Sequence, residues 1–365
     1  MADVITAEYR LAGEAGLTRF VTAVLEKVGV TPDDAAITAE VLVQADLRGI
    51  ESHGVARLES YYVSRLRAGT MRAAPVVTTL RETATSLAVD AGNGLGHPVA
   101  KRTMARIIEK ARTMGSAFGT VRNSNHYGIA GAYAMMALDH DMIGIASTNT
   151  VRLAVPTFGR DVLLGTNPLA FAIPAHDEPP FVLDFATTVV PRGKLQVYDR
   201  KHLPLHDGWA VDADGNETND PQAALHGALL PLGGYGTDNG GHKGYGLGLL
   251  VEIMCGVLAG GAFGLDLPTT SDERSGAFSH FFAAFTIDGF RDPAQFRADM
   301  DTELRSFKES RKALGEDRIY VAGEIEHEKT LYNRAHGIPI HLAVWSGLER
   351  LASDLNVPFD VAADR

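Results

Sequence analysis

Apolar residues recur at helical spacing over the first seventy positions and give way to strand-like alternation beyond Ala74. Residues 17–28 are amphipathic. Thr31-Pro32-Asp33-Asp34 supplies a cap, an N1 proline and two acids, which predicts a helix to about Leu47. Ser52 is a candidate N-cap for a third helix, with Leu58, Tyr62 and Leu66 as its apolar stripe up to Gly69. On such a helix His53, Arg57 and Tyr61 fall four apart and share a face distinct from that of Val55, Leu58 and Tyr62.

Past Ala74 the pattern predicts a hairpin from strands 76–80 and 86–90, then a glycine-rich turn, residues 92–98, opening a helix to about Met114. Further strands are expected at 118–121, 142–147, 169–173, within 181–188 and at 279–287, with a short one at 318–321. Helices are expected at 129–140, 247–259, 292–314, 324–334 and 342–355. Several strands run into polar clusters, such as Thr148-Asn149-Thr150, and alternate with helices. That order implies an α/β fold with a central sheet whose strand ends form a pocket. No repeat or linker separates the helical ends from the sheet, so they are expected to pack on it.

Composition narrows the function. The chain has 365 residues, enough for two domains, and a net charge of −11 with no run of basic residues. No nucleic acid and no membrane is expected as a partner. Residues 1–8 lack a basic segment followed by an apolar one, so a cytoplasmic protein is expected. Cys255, the single cysteine, lies in an apolar segment and reads as a buried structural thiol. His202 and His206 are four apart, but Pro204 intervenes and no third ligand adjoins them, so no metal site is expected.

Of the thirteen histidines, His53 and His126 sit among other polar, turn-forming residues. An imidazole, a guanidinium and a phenol beside a helix N-terminus could receive an anionic substrate. Spacing alone does not separate this from a polar solvent face that includes a histidine. Asp184 sits in the apolar strand Phe181-Val182-Leu183-Asp184-Phe185-Ala186 and needs a partner or a proton. The glycine-dense stretch 232–246 delivers Lys243 to a helix start; it reads equally as an anion cradle or as a flexible loop with a capping lysine. His97 stands where a third glycine would complete a G-x-G-x-x-G after a strand, so a Rossmann nucleotide site is not supported. One imidazole, one arginine and a buried aspartate suit hydride transfer at a carbon bearing oxygen. The same residue types suit a hydrolase, or a metal-dependent hydroxy-acid lyase, for which no ligand cluster is evident.

Five motifs carry a resemblance: Arg48-Gly49-Ile50-Glu51-Ser52-His53-Gly54, Asn125-His126-Tyr127-Gly128, Gly165-Thr166-Asn167-Pro168, Leu183-Asp184-Phe185-Ala186 and Gly240-Gly241-His242-Lys243-Gly244-Tyr245-Gly246. In order and across essentially the whole chain, they resemble the type-2 malate/L-lactate dehydrogenase family. The resemblance implies an NAD(P)H-dependent oxidoreductase interconverting a small 2-oxo acid and a 2-hydroxy acid, with cyclic imino acid reduction as the alternative. It implies a homodimer and a non-Rossmann mixed-sheet nucleotide-binding domain (residues 75–310). A helical domain would be built from residues 1–74 and 311–365, with the active site between the two. His53 is then expected as the proton donor, supported by Ser52 and Arg57, with His126 as its rival or orienting partner. Thr150, Asp184, Phe185, Ala186 and Lys243, and more remotely Gly323 and Glu324, are expected at the dinucleotide. The acidic composition tips the choice of cofactor toward NAD over NADP.

Overall fold

The computed structural model describes residues 8–270 and 274–363. Residues 1–7, on which the reading of the leader rests, lie outside them. In chain order the strands are β1 (Tyr9–Ala12), β2 (Thr78–Glu82), β3 (Ser86–Asp90), β4 (Ser116–Ser124), β5 (Met142–Thr148), β6 (Leu169–Ile173), β7 (Phe181–Phe185), β8 (Ala210–Val211), β9 (Ala228–Leu229), β10 (Phe278–Thr286) and β11 (Ile338–His341). Seven of them form one mixed sheet in the order β2-β3-β4-β10-β5-β6-β7. Only β3 and β4 run parallel within it, and the Gly96–Met114 helix connects them. All its other neighbouring pairs are antiparallel.

The sheet is covered on both faces, so β10, expected as an alternating strand, is buried on both sides from Phe278 to Ala284, the polar Ser279 and His280 included. The Gly96–Met114 helix sets Met104, Ile107, Ile108 and Ala111 in one core with Leu87, Val121, Ala146 and Phe282. Val251 and Cys255 pack with Phe281 and Ala283 in another. Cys255 is fully buried, its thiol pushed up to about 12 by that burial, in keeping with a structural role.

A separate core draws on both ends of the chain. Leu17, Phe20 and Leu42 from the first two helices meet Leu58 and Tyr62, and all pack with Ile338, Trp345, Leu348 and Val361. β1 pairs antiparallel with β11, tying the start of the described chain to its end. Neither four-residue strand was expected, because each is paired across more than three hundred residues and carries little local pattern. Residues 318–321, expected as a strand, are irregular: Ala322 O accepts from Val182 N beside β7, but no ladder extends from that bond. Among the described residues no helix is long and apolar enough to cross a membrane.

The largest departure from expectation falls at residues 51–67. Instead of one helix there are two 3₁₀ turns, Glu51–His53 and Val55–Arg57, a π-helical stretch Leu58–Val63 and one α-helical turn, Ser64–Arg67. The cause is Asp46, a buried carboxyl group on the preceding helix. Its Oδ2 takes the Val55 N–H at 2.8 Å, a donor that a continuous helix would give to Glu51. Gly54 is extended there (φ −92°, ψ −149°), so the helix cannot run through. Burial raises the Asp46 carboxyl to about 8.

Candidate active site

That broken helix makes the site. It separates His53 from Arg57 by an extended glycine, so they do not stand in a helical row, and it turns Tyr61 and Tyr62 toward the loop after β4. Ser52 is not an N-cap: its Oγ lies 2.9 Å from His53 Nδ1, and its carbonyl accepts from Arg57 Nε at 2.9 Å. The three residues are thus fastened to one another. His126, brought in by β4, stacks on His53 with ring centroids 5.4 Å apart and 28° between planes. Both imidazoles are held below their ordinary range. Burial takes His53 down to about 4, with Arg57 adding to it. Burial, then the charges His53 and Arg57 would carry beside it, holds His126 well below its ordinary range as well. The pair therefore rests neutral near pH 7.

Behind His126 stand two residues that sequence reasoning passed over. Tyr62 was assigned to the apolar face; it is fully buried, but its Oη is 2.5 Å from His126 Nδ1 and 3.2 Å from His97 Nε2. His97, noted only for spoiling a glycine motif, is also fully buried. The available signal was a histidine in a glycine-rich turn directly before Pro98, at a helix start. Tyr61 Oη accepts from His126 N at 3.4 Å, and the Arg65 guanidinium lies over the Tyr61 ring at 4.0 Å.

Asp184, at the end of β7, accepts from Gly131 N at 2.7 Å, and Gly131 has no room for a Cβ against that carboxylate. Burial raises Asp184 to about 6, against the pull of the Gly131 bond and of the charge on Arg48. Arg48 belongs to the same motif as His53, so the carboxylate faces the N-terminal segment. Phe185 pairs with Leu169 and, like Ala186, is half-buried.

Beside them the ends of β5, β6 and β7 converge. Thr150 Oγ1 accepts from Thr166 N at 3.0 Å, and Thr187 donates through both N and Oγ1 to Thr166 O. A Cβ on Gly165 would stand 2.2 Å from Thr150 Oγ1, so that approach requires glycine. Buried Asn167 donates to Gly248 O and Glu252, leaving its Oδ1 without a partner among the described residues. An orphaned amide oxygen under a row of threonine hydroxyls fits a ligand rich in hydroxyl and amide groups, as a nicotinamide dinucleotide is. Lys243 is exposed in the first turn of the Gly241–Glu252 helix, about 7.5 Å along the axis from Gly248. Gly241 and Gly244 on that helix approach Gly234 O and Leu232 O so closely that a Cβ would overlap them. The glycine loop is therefore packed structure as well as a route to Lys243.

Gly323 and Glu324 stand apart from this group. Gly323 (φ +89°) lies against Val182 on the outer side of β7. The buried Glu324 carboxylate is paired with Arg318 at 2.9 Å and Lys308 at 3.1 Å, a structural occupation. His206 is exposed and bonds Tyr198 Oη at 3.2 Å, and among the described residues no three His, Cys, Asp or Glu gather to hold a metal.

Comparison with known proteins decides the class. A family profile described as malate/L-lactate dehydrogenase matches residues 14–349. The chain belongs to the malate/L-lactate dehydrogenase family. It is 43% identical over 343 residues to a malate dehydrogenase of Pyrococcus horikoshii, covering 93% of this chain and 94% of that one. It is 36% identical to an L-sulfolactate dehydrogenase of Methanocaldococcus jannaschii over 92% of this chain and 94% of that one. Its fold matches the crystal structure of a delta1-piperideine-2-carboxylate reductase from Pseudomonas syringae with a TM-score of 0.82, at 27% identity, over 94% of this chain and all of that one. This family member is therefore an oxidoreductase, and its kinship with dehydrogenases implies a nicotinamide cofactor.

Proposed function

We propose that the protein reversibly reduces a small 2-oxo acid to a 2-hydroxy acid with NADH or NADPH, His53 exchanging the proton. The observation that carries this reading is the stacked His53–His126 pair with Ser52 and Arg57 fastened beside it. Bound nicotinamide supplies or accepts the hydride at the oxygen-bearing carbon. Arg57 holds the substrate carboxylate, and its bond to Ser52 O sets the guanidinium relative to His53. In the oxidative direction a neutral His53 takes the hydroxyl proton directly. In the reductive direction the arriving carboxylate and the charge developing on oxygen raise its basicity, so substrate binding brings a proton with it.

Thr150, Asp184, Phe185, Ala186 and Lys243 would hold the dinucleotide on a mixed sheet without a Rossmann phosphate loop; Gly323 and Glu324 would support it from behind β7. Arg122 is committed to Asp90 and Arg152 to Leu267 O, which leaves those two less able to grip a 2′-phosphate and agrees with a preference for NAD. We read residues 1–74 and 311–365 as one helical domain, residues 75–310 as the sheet domain, and the functional unit as a cytoplasmic homodimer. The likeness to a piperideine-2-carboxylate reductase favours a second reading, reduction of a cyclic imine, which demands less of a proton donor.

The test is loss of nicotinamide absorbance, with NADH and NADPH in parallel against pyruvate, oxaloacetate, a diketo sugar acid, oxalurate and a cyclic imino acid. Turnover of an oxo acid is expected; turnover of the imine alone would transfer the assignment to C=N reduction. His53→Ala should lower turnover by about 10²–10⁴-fold with dinucleotide affinity nearly intact.

A further inference from the structure

Proton positions around His126 follow from its neighbours. The Gly128 backbone N–H, which can only donate, points at His126 Nδ1 from 3.3 Å. Gly128 holds that direction at φ +80°, and a Cβ there would press within 2.9 Å of Val41 Cγ1 and 3.3 Å of His97 Nε2. Nδ1 is therefore an acceptor, and the Tyr62 hydroxyl at 2.5 Å must donate to it. With its one proton spent, Tyr62 Oη can only accept from His97 Nε2 at 3.2 Å. His97 is then an Nε2–H imidazole, which makes its buried Nδ1, without a partner among the described residues, the bare nitrogen. Each step forces the next: His97 N–H to Tyr62 O, Tyr62 O–H to His126 Nδ1, and the remaining His126 proton on Nε2.

We propose that Tyr62 and His97 lock His126 as its Nε2–H tautomer, so that His126 gives the substrate oxygen a neutral hydrogen bond and leaves proton transfer to His53. The division rests on the reading of both histidines as facing the substrate. A locked Nε2–H cannot take a proton from a hydroxy acid, because its only lone pair already has two donors on it. His53 has no such constraint: its Nδ1 meets a serine hydroxyl, which can donate or accept, so its Nε2 is free to be bare. The groups around His126 oppose a charged form, with Arg57 and the imidazoles of His53, His97 and His280 all acting against a proton there. A neutral imidazole can polarise a carbonyl, as the electrophilic histidine of triosephosphate isomerase does. Tyr62 and His97 are positioning residues in this scheme.

The experiment pairs a spectroscopic signature with rescue. In the full-length protein labelled with ¹⁵N-histidine, long-range ¹H–¹⁵N spectra report the tautomer of each ring, and the signal lost in His126→Gln identifies His126. The wild type should show His126 as Nε2–H near pH 7, and Tyr62→Phe should mix the two tautomers. Glutamine keeps a donor near the Nε2 position, so His126→Gln should hold kcat/KM within about tenfold of wild type. His126→Ala should lose about 10²–10³-fold, as when an oxyanion donor is removed. An Nδ1–H or doubly protonated His126 in the wild type overturns the proposal without recourse to any variant, and so does a His126→Gln enzyme as inactive as His126→Ala. If His53→Ala keeps full turnover, the reading of His53 itself fails, and the division of roles with it.

Discussion

Gly54→Ala tests the claim that the site is shaped by the carboxyl group beneath it. At φ −92° the backbone accepts alanine, so strain is not the issue. The obstacle is Asp46: a Cβ at Gly54 would lie 2.0 Å from its Oδ1, 2.2 Å from Cγ and 2.3 Å from Oδ2. Overpacking of this kind costs about 1–3 kcal/mol. If Asp46 retreats to make room, the Val55 N–H loses its partner, for a further 1–3 kcal/mol or so. A total of about 2–6 kcal/mol is a large share of the 5–15 kcal/mol typical of a folded domain. His53 is the adjacent residue, and a shift of about 1 Å at a reacting group can cost roughly 10²-fold in rate. Urea unfolding and steady-state turnover would be measured for Gly54→Ala, Asp46→Ala and the double variant. The alanine at 54 should cost less than about 1 kcal/mol once Asp46 is removed, because the two side chains then no longer compete. If Gly54→Ala unfolds with the wild type, or costs the same with and without Asp46, the steric argument is wrong.

Asp46 also makes stability depend on pH. Its folded value of about 8 stands above the ordinary 3.8, so the folded state keeps a proton that the unfolded chain releases, and this contribution declines as pH rises from about 4 to about 8. Asp46→Asn keeps an oxygen for Val55 N–H and cannot ionise; its denaturant midpoint should therefore fall less between pH 5 and pH 8 than that of the wild type. Arg57→Ala should raise KM for an oxo acid by roughly 10–100-fold, the worth of a charge-assisted hydrogen bond, and an unchanged KM would remove Arg57 from the carboxylate. Asp184→Ala should weaken dinucleotide binding by about tenfold or more in fluorescence titration, on the scale of one lost hydrogen bond to a charged group. Unchanged affinity in a folded variant would take Asp184 out of the cofactor site.

Much of this arrangement is written in local pattern. The Pro32–Leu47 helix, the hairpin of β2 and β3, and the Leu342–Leu355 helix follow from caps, alternation and apolar spacing, and each is observed with ends within a few residues of expectation. What local pattern could not show is where a distant group intervenes. The helix expected after Ser52 fails because Asp46, nine positions away from Val55, takes a backbone donor from it. Tyr62 satisfies an apolar stripe and a polar chain together, and periodicity registers only the first. His97 and His126 are 29 positions apart in sequence and meet the same phenol only once the Gly96–Met114 helix and β4 are laid side by side. The motifs around His53, Gly165 and Asp184 carried the family, but the partners of each side chain depend on packing.

The pairing of β1 with β11 has a consequence during synthesis. Ala12 meets Ile338, so 326 positions must be translated before the first strand has a neighbour. At about 5–20 residues per second that is roughly 15–65 s. The sheet core can close in that interval, but Leu58 and Tyr62 wait for Trp345 and Leu348. The nascent chain thus carries the apolar side of Leu58 and Tyr62 uncovered until Trp345 and Leu348 have been made, and the neighbouring His53 segment is seated only after them.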